Sequence, residues 1–169
     1  MSLTQELDPT TLRQAFARFP SGIAALCATI DGAPQGIVAS SFTVGVSLEP
    51  ALVSFAVQNT SNTWPVVKRS GRIGVSILGS EHHGVCRQIA SKTGDRFAGL
   101  SLTGTEGGAL YLDRSALWLE TSVYAEVPAG DHHVVLLEVH GVATHDGEHA
   151  PLVFQDSGFH ELRQPEFAI

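Results

Sequence analysis

The sequence predicts a mainly β protein, an antiparallel barrel with short flanking helices. Short apolar runs recur at moderate spacing along the chain, and turn signals bound them. Helical patterns between the runs are few and brief, which argues against a parallel βαβ sheet.

The first element is a helix. Asp8 can cap the free backbone donors and Pro9 suits the first turn. Leu12, Ala15, Phe16 and Phe19 then share one apolar face, and Pro20 ends the helix. From Gly22 the pattern turns β. Ile23 to Ile30 is small and apolar, Asp31-Gly32 is a hairpin signal, and a strand near Gln35 to Ala39 follows. Further strands are expected over Ala51 to Val57 and Ile73 to Leu78. The longest are Leu117 to Val127 and Val134 to Thr144, and Leu152 to Phe154 is a short last one. Ser61 or Asn62 caps a helix running to about Arg69, and Ser80 caps a second over roughly Glu81 to Ala90. The Gly- and Thr-rich stretch Gly94 to Gly108 reads as a surface excursion. No repeat, low-complexity tract or long linker interrupts the chain, so residues 1–169 form one domain.

Composition narrows the function. Hydrophobic residues make up 43% and charged residues 16%, the opposite of a disordered chain. With 10 basic and 17 acidic residues the formal charge is −7, which argues against nucleic acid and anionic membranes as partners. No apolar run approaches the ~18–20 residues of a membrane span. The start shows no secretory signal, so a cytoplasmic protein is expected. Cys27 and Cys86 give neither a metal spacing nor a disulfide framework. Cys27 belongs in an apolar strand, and Cys86 on a helix that is partly exposed.

Familiar catalytic motifs are missing. There is no Gly-x-Gly-x-x-Gly, Walker loop, Gly-x-Ser-x-Gly or His-Glu-x-x-His. The eight histidines (His82, His83, His132, His133, His140, His145, His149 and His160) form no ligand triad. Adjacent histidines on a strand face opposite ways, so surface positions are expected and no metal.

Three segments can carry chemistry. In Gly36-Ile37-Val38-Ala39-Ser40-Ser41-Phe42-Thr43, small residues leave the backbone approachable to the edge of a flat heterocycle, though taken alone the segment reads more readily as a polar loop between strands. In Gln58-Asn59-Thr60-Ser61-Asn62-Thr63-Trp64-Pro65, hydroxyls and amides at a helix start either hold a phosphate or merely cap the helix. In Gly130-Asp131-His132-His133, a turn presents His132, either as a substrate contact or as an exposed turn histidine.

Together and in order, these segments resemble the flavin reductase family with the FMN-binding split-barrel fold. The matching stretches are Phe19-Pro20-Ser21-Gly22-Ile23-Ala24, Gly36 to Val44 and Val46-Ser47-Leu48-Glu49-Pro50. They continue with Ser61-Asn62-Thr63, Gly74-Val75-Ser76-Ile77-Leu78, Asp95-Arg96-Phe97 and Gly130-Asp131-His132. The resemblance spans about Leu12 to Leu162.

It implies a split β-barrel of Greek-key type, paired as a homodimer, with FMN or FAD near the interface and NADH or NADPH as co-substrate. It implies an NAD(P)H-dependent flavin reductase whose reduced flavin diffuses to a partner monooxygenase. The Val38-Ala39-Ser40-Ser41 backbone and the Ser40 and Ser41 hydroxyls would line the flavin ring. Ser61, Asn62 and Thr63 would hold the phosphate, and Ser91, Lys92 and Arg96 the phosphate or adenylate end. His132 would position the nicotinamide, and Phe159 would help cover the flavin. Against the family pattern, Val38 stands where Thr is frequent, Ala51 where a second proline follows Pro50, and Ile89-Ala90 where Phe-Ala is usual. A flavin carrier without turnover, or a split-barrel oxidoreductase using another substrate or a deazaflavin, are the alternative readings.

Overall fold

The computed structural model describes residues 3–145 and 150–162; His149 lies outside them. Helix α1 spans Pro9–Phe16, and the Asp8 carboxylate accepts from the Thr10 and Thr11 N–H groups at 2.8 and 3.2 Å. The strands that follow are β1 (Ser21–Gly22), β2 (Ala24–Ile30), β3 (Ala33–Ala39), β4 (Thr43–Leu48) and β5 (Ala51–Gln58). One helical turn, α2 (Trp64–Val67), precedes β6 (Ile73–Ile77), and α3 spans His83–Ala90. Then come β7 (Leu102–Gly104), β8 (Leu110–Leu112), β9 (Leu117–Ala129), β10 (His132–Thr144), β11 (Leu152–Gln155) and β12 (Gly158–Glu161).

Seven of these strands form one antiparallel sheet in the order β3-β2-β6-β9-β10-β5-β4. The sheet rolls up until β3, at one end, comes close to β5 near the other. No backbone ladder joins those two, so the barrel is split there. Ser41 spans part of the gap. Its hydroxyl donates to the Ala56 carbonyl and accepts from the Ala56 N–H, at 3.1 and 2.9 Å.

Strand β2 explains the apolar run from Ile23. Its even-numbered residues, Ala24, Leu26, Ala28 and Ile30, enter the barrel interior with Phe55, Val75 and Leu137. Ile23, Ala25 and Cys27 face a second core under α3, with Cys86, Ile89 and Phe97. A strand covered on both faces reads as continuous rather than alternating. The Asp31-Gly32 turn adopts φ +51° and +78°, the left-handed pair of a tight hairpin.

Trp64 closes the end of the barrel beside the split. It is buried, packs edge-on against Phe55 at 5.0 Å, and donates its indole N–H to Glu126 at 2.7 Å. Burying such a side chain contributes about 1.5–3 kcal/mol, and it pins the loop from Asn59 to Thr63 against the sheet.

Four expectations need correction. Helix α1 stops at Phe16, short of Pro20, and the described residues leave its apolar side open: Phe16 and, beyond the helix, Phe19 are 69% and 75% exposed. The Gly94 to Gly108 stretch is no simple excursion, because Phe97 is buried in the second core and Leu102–Gly104 pairs with β8. Cys86 is buried rather than partly exposed. His82 is also buried, its Nδ1 accepting from the Gly79 N–H and its Nε2–H donating to the Asp113 carbonyl. Among the described residues no helix is long and apolar enough to cross a membrane, and no group of histidines, cysteines and carboxylates is arranged to hold a metal.

Candidate active site

A cleft of about 800 Å³ opens at the split. Its walls are the free side of β3 (Gly36 to Ala39), the end of β5 (Ala56 to Gln58) and the loop Thr60 to Thr63. The end of α3 (Ile89 and Ala90), Ser91, Lys92, Arg96 and His132 complete it.

Arg96 ties these walls together. One terminal nitrogen donates to the Gly36 carbonyl at 3.2 Å and reaches Thr63 Oγ1 and the Ile89 carbonyl at 3.5 Å; the other donates to Gln35 Oε1 at 3.3 Å. Because the Gly36 carbonyl faces Arg96, it points away from β2. In a strand, N–H and C=O directions repeat every second residue. The N–H and C=O of Val38 therefore face the cleft as well, without a ladder partner. Gly36 also permits a close approach: a Cβ there would lie 2.5 Å from Cys27 Sγ and 3.1 Å from the Phe97 ring.

Neither Lys92 nor Arg96 is ion-paired with a described carboxylate. In a chain of charge −7, two cations of this cleft thus have no carboxylate partner among the described residues, which favours an anionic ligand. Ser61 Oγ accepts from the Trp64 N–H at 3.2 Å, leaving its own proton free to donate. Helix α2 ends at Val67, short of Arg69, so its dipole is small and hydroxyls and cations must do the holding. Ser91 is less available, since its hydroxyl closes a local turn with Thr93.

His132 opens β10, opposite Gln58 of β5. Its Nδ1 donates to Asp131 Oδ1 at 2.7 Å, leaving Nε2 as the free ring nitrogen. That bond, and next the imidazole charge, hold the Asp131 carboxyl below its ordinary value.

Of the residues singled out from the sequence, Val38, Ala39, Ser61, Asn62, Thr63, Ser91, Lys92, Arg96 and His132 meet in this cleft. Ser40 and Phe159 line a smaller adjoining pocket of about 200 Å³ that shares Val38 and Ala90 with it. Phe159 sits there under Arg87, 5.6 Å from the ring centroid. Ser41 lines neither, its hydroxyl being engaged with Ala56. Sequence reasoning missed Ala56 and Val57 as walls; small apolar residues in a strand carry no site signal.

A model of the flavin reductase like domain matches residues 16–163. The chain belongs to that family. It is 32% identical to a flavin reductase of Pseudomonas putida over 90% of this chain and 89% of that one. It is 38% identical to actinorhodin polyketide dimerase of Streptomyces coelicolor, covering 92% of this chain and 87% of that protein. Among solved structures it is similar to the NADH:FAD oxidoreductase SgcE6 of Streptomyces globisporus, in complex with NAD and FAD fragments. The TM-score is 0.89 at 25% identity, covering 99% of this chain and 100% of that one. The split barrel expected from the resemblance is the fold observed, and the chain is an NAD(P)H:flavin oxidoreductase.

Proposed function

We propose that flavin and nicotinamide meet in the cleft at the barrel split, and that reduced flavin then leaves for a separate monooxygenase. One observation carries the reading. A bare strand edge, a loop of hydroxyls and amides, and two cations with no carboxylate partner among the described residues converge on a single cavity. Its volume lies in the range of small-molecule sites, roughly 300–1,000 Å³, so the residues present fit a flavin.

The flavin supplies a ring that takes hydride from the nicotinamide. The chain's task is alignment and electrostatics. The Val38 N–H and C=O read the polar edge of the ring, and the N–H favours negative charge developing there. Ala39, Ala56 and Val57 offer small apolar contacts to its flat face. Ser61, Asn62 and Thr63 donate to the phosphate, and Lys92 and Arg96 neutralise it; Ser91 adds its backbone at that end. Ser40 and Phe159 border the ring from the adjoining pocket. With the hydroxyl of Ser41 occupied, its share is to hold β5 against the end of β3. His132 presents Nε2 to the nicotinamide carboxamide, positioning it without transferring a proton.

Contacts limited to hydroxyls, amides and two cations suit a flavin that binds and departs. Reductase subunits of flavin-dependent monooxygenases stand among the chain's relatives, which supports that destination. A homodimer is part of the same reading. Val44, Val46 and Leu48 on the edge strand β4 leave apolar side chains exposed, as do Phe16 and Phe19, and a second copy would cover them. The two free, buried cysteines suit a cytoplasmic setting.

The experiment is NADH oxidation followed anaerobically with FMN and FAD added in turn. The rate is expected to rise and saturate with added flavin. A yellow protein whose slow NADH oxidation ignores added flavin would instead be a carrier.

A further inference from the structure

Asn59, the residue after β5, reaches the turn that presents His132 through three bonds. Its backbone N–H donates to the Asp131 carbonyl at 3.0 Å, and its Nδ2 donates to the Gly130 carbonyl at 3.2 Å. Its Oδ1 can only accept, so His133 Nδ1–H donates to it, at 2.6 Å. The bonds therefore grip the chain on both sides of His132. From Asn59 the chain runs directly into Thr60 to Thr63, the hydroxyl wall of the cleft, and the Ser61 N–H donates back to the Gln58 carbonyl at 3.0 Å.

We propose that Asn59 is a positioning residue for hydride transfer, fixing the His132 turn relative to the loop that holds the flavin phosphate. The β10–β5 ladder sets the height of His132 through Gln58. It leaves the Gly130 and Asp131 carbonyls without ladder partners at the tip of a hairpin whose strands are 13 residues long. Hairpin tips move unless tied down, and small misplacements of a substrate contact are costly to rate. Asn59 supplies the tie, and does so from the loop beside the other ligand. The inference rests on the reading that His132 meets the nicotinamide.

The test compares Asn59→Ala, His132→Ala and the double variant for KM of NADH, kcat and flavin Kd by fluorescence quenching. Asn59 is exposed, so the single variant should fold. Asn59→Ala is expected to raise KM for NADH about tenfold, the scale of one or two net hydrogen bonds, with flavin Kd unchanged. In the His132→Ala background the same substitution should be nearly silent, because Asn59 acts through His132. An unchanged KM in Asn59→Ala, or a full effect persisting without His132, overturns the proposal. If His132→Ala itself leaves KM unchanged, the role given to His132 falls and this inference with it. If His132→Ala raises KM while Asn59→Ala does not, only the inference about Asn59 falls. Should Asn59→Ala not fold, His133→Ala removes one of the three bonds and must shift KM the same way; no shift counts against the proposal.

Discussion

His132 Nδ1 and Asp131 Oδ1 lie 2.7 Å apart, and this bond decides which ring nitrogen the cleft sees. With Nδ1–H committed to the carboxylate, a neutral ring offers Nε2 as an acceptor, matching the N–H groups of a carboxamide. Asp131 is 92% exposed, so the pair orients rather than stabilises. Asp131→Ala is expected to raise KM for NADH severalfold while kcat and Tm stay put, read by steady-state kinetics and thermal melting. Asp131 has a depressed folded-state pKa, so the carboxylate and its bond are intact at neutral pH. They are lost only as pH falls through a value below the ordinary 3.8. A KM effect already complete at pH 5 would have to come from another group.

Arg96 should govern flavin binding more than any other cleft side chain. Removing it frees the Gly36 carbonyl, Thr63 and the end of α3 at once, and removes a cation. A hydrogen bond from a charged donor contributes about 1.5–3 kcal/mol, so Arg96→Ala should weaken flavin binding by roughly tenfold to a hundredfold. Arg96→Lys keeps the charge but not the planar fork, and should recover only part of the loss. Fluorescence titration with FMN and FAD measures both.

Much of this was legible in the chain before folding, because its signals are local. The Asp8 cap, the Asp31-Gly32 hairpin and the strands β5, β6, β9 and β10 announce themselves within a few residues. So does the turn that carries His132. What stayed hidden depends on distance or on covering. Arg96 reaches Gly36 across 60 positions, and Asn59 reaches His133 across 74. Strand β4 was missed because its exposed pattern carries no buried alternation, and Gly45 interrupts it with φ +70°. Leu12, Ala15 and Phe16 do fall within α1, though the helix stops before Phe19, and amphipathicity says only that a face wants cover, not whether the same chain supplies it.

The assembly can be tested at β4. Leu48 is 90% exposed and Val44 59%, on a strand with no neighbour on its outer side among the described residues. Sedimentation equilibrium is expected to give twice the 17.9 kDa chain mass. A Val44→Asp/Leu48→Asp pair should return a single-chain mass without lowering far-ultraviolet dichroism. A wild-type protein already at 17.9 kDa would remove the homodimer from the functional reading.

The cysteines should be inert. Burial pushes the Cys27 thiol up to about 12, though the Arg96 charge opposes it slightly, and burial alone raises Cys86 to about 11. Thiolate is the reactive form, so a thiol reagent at pH 8 should label neither until the protein is unfolded. Fast labelling of the folded chain would mean that the second core opens.

Gly36 offers the sharpest test of how the split is built. A methyl group there would press on Cys27 Sγ at 2.5 Å, with the Leu26 carbonyl and the Phe97 ring at 3.1 Å. Overpacking of this kind costs about 1–3 kcal/mol, so Gly36→Ala should lower Tm by several degrees. Most of that strain is against one sulfur atom. Cys27→Ala alone leaves a small void and should also destabilise. Combined, the new methyl would occupy the space the sulfur vacated, and the double variant should be more stable than the sum of the two losses predicts. Chemical denaturation of the four proteins in the cycle gives the coupling. Strict additivity would mean that the Phe97 ring or the Leu26 carbonyl, rather than Cys27, sets the limit on how closely β3 lies against β2.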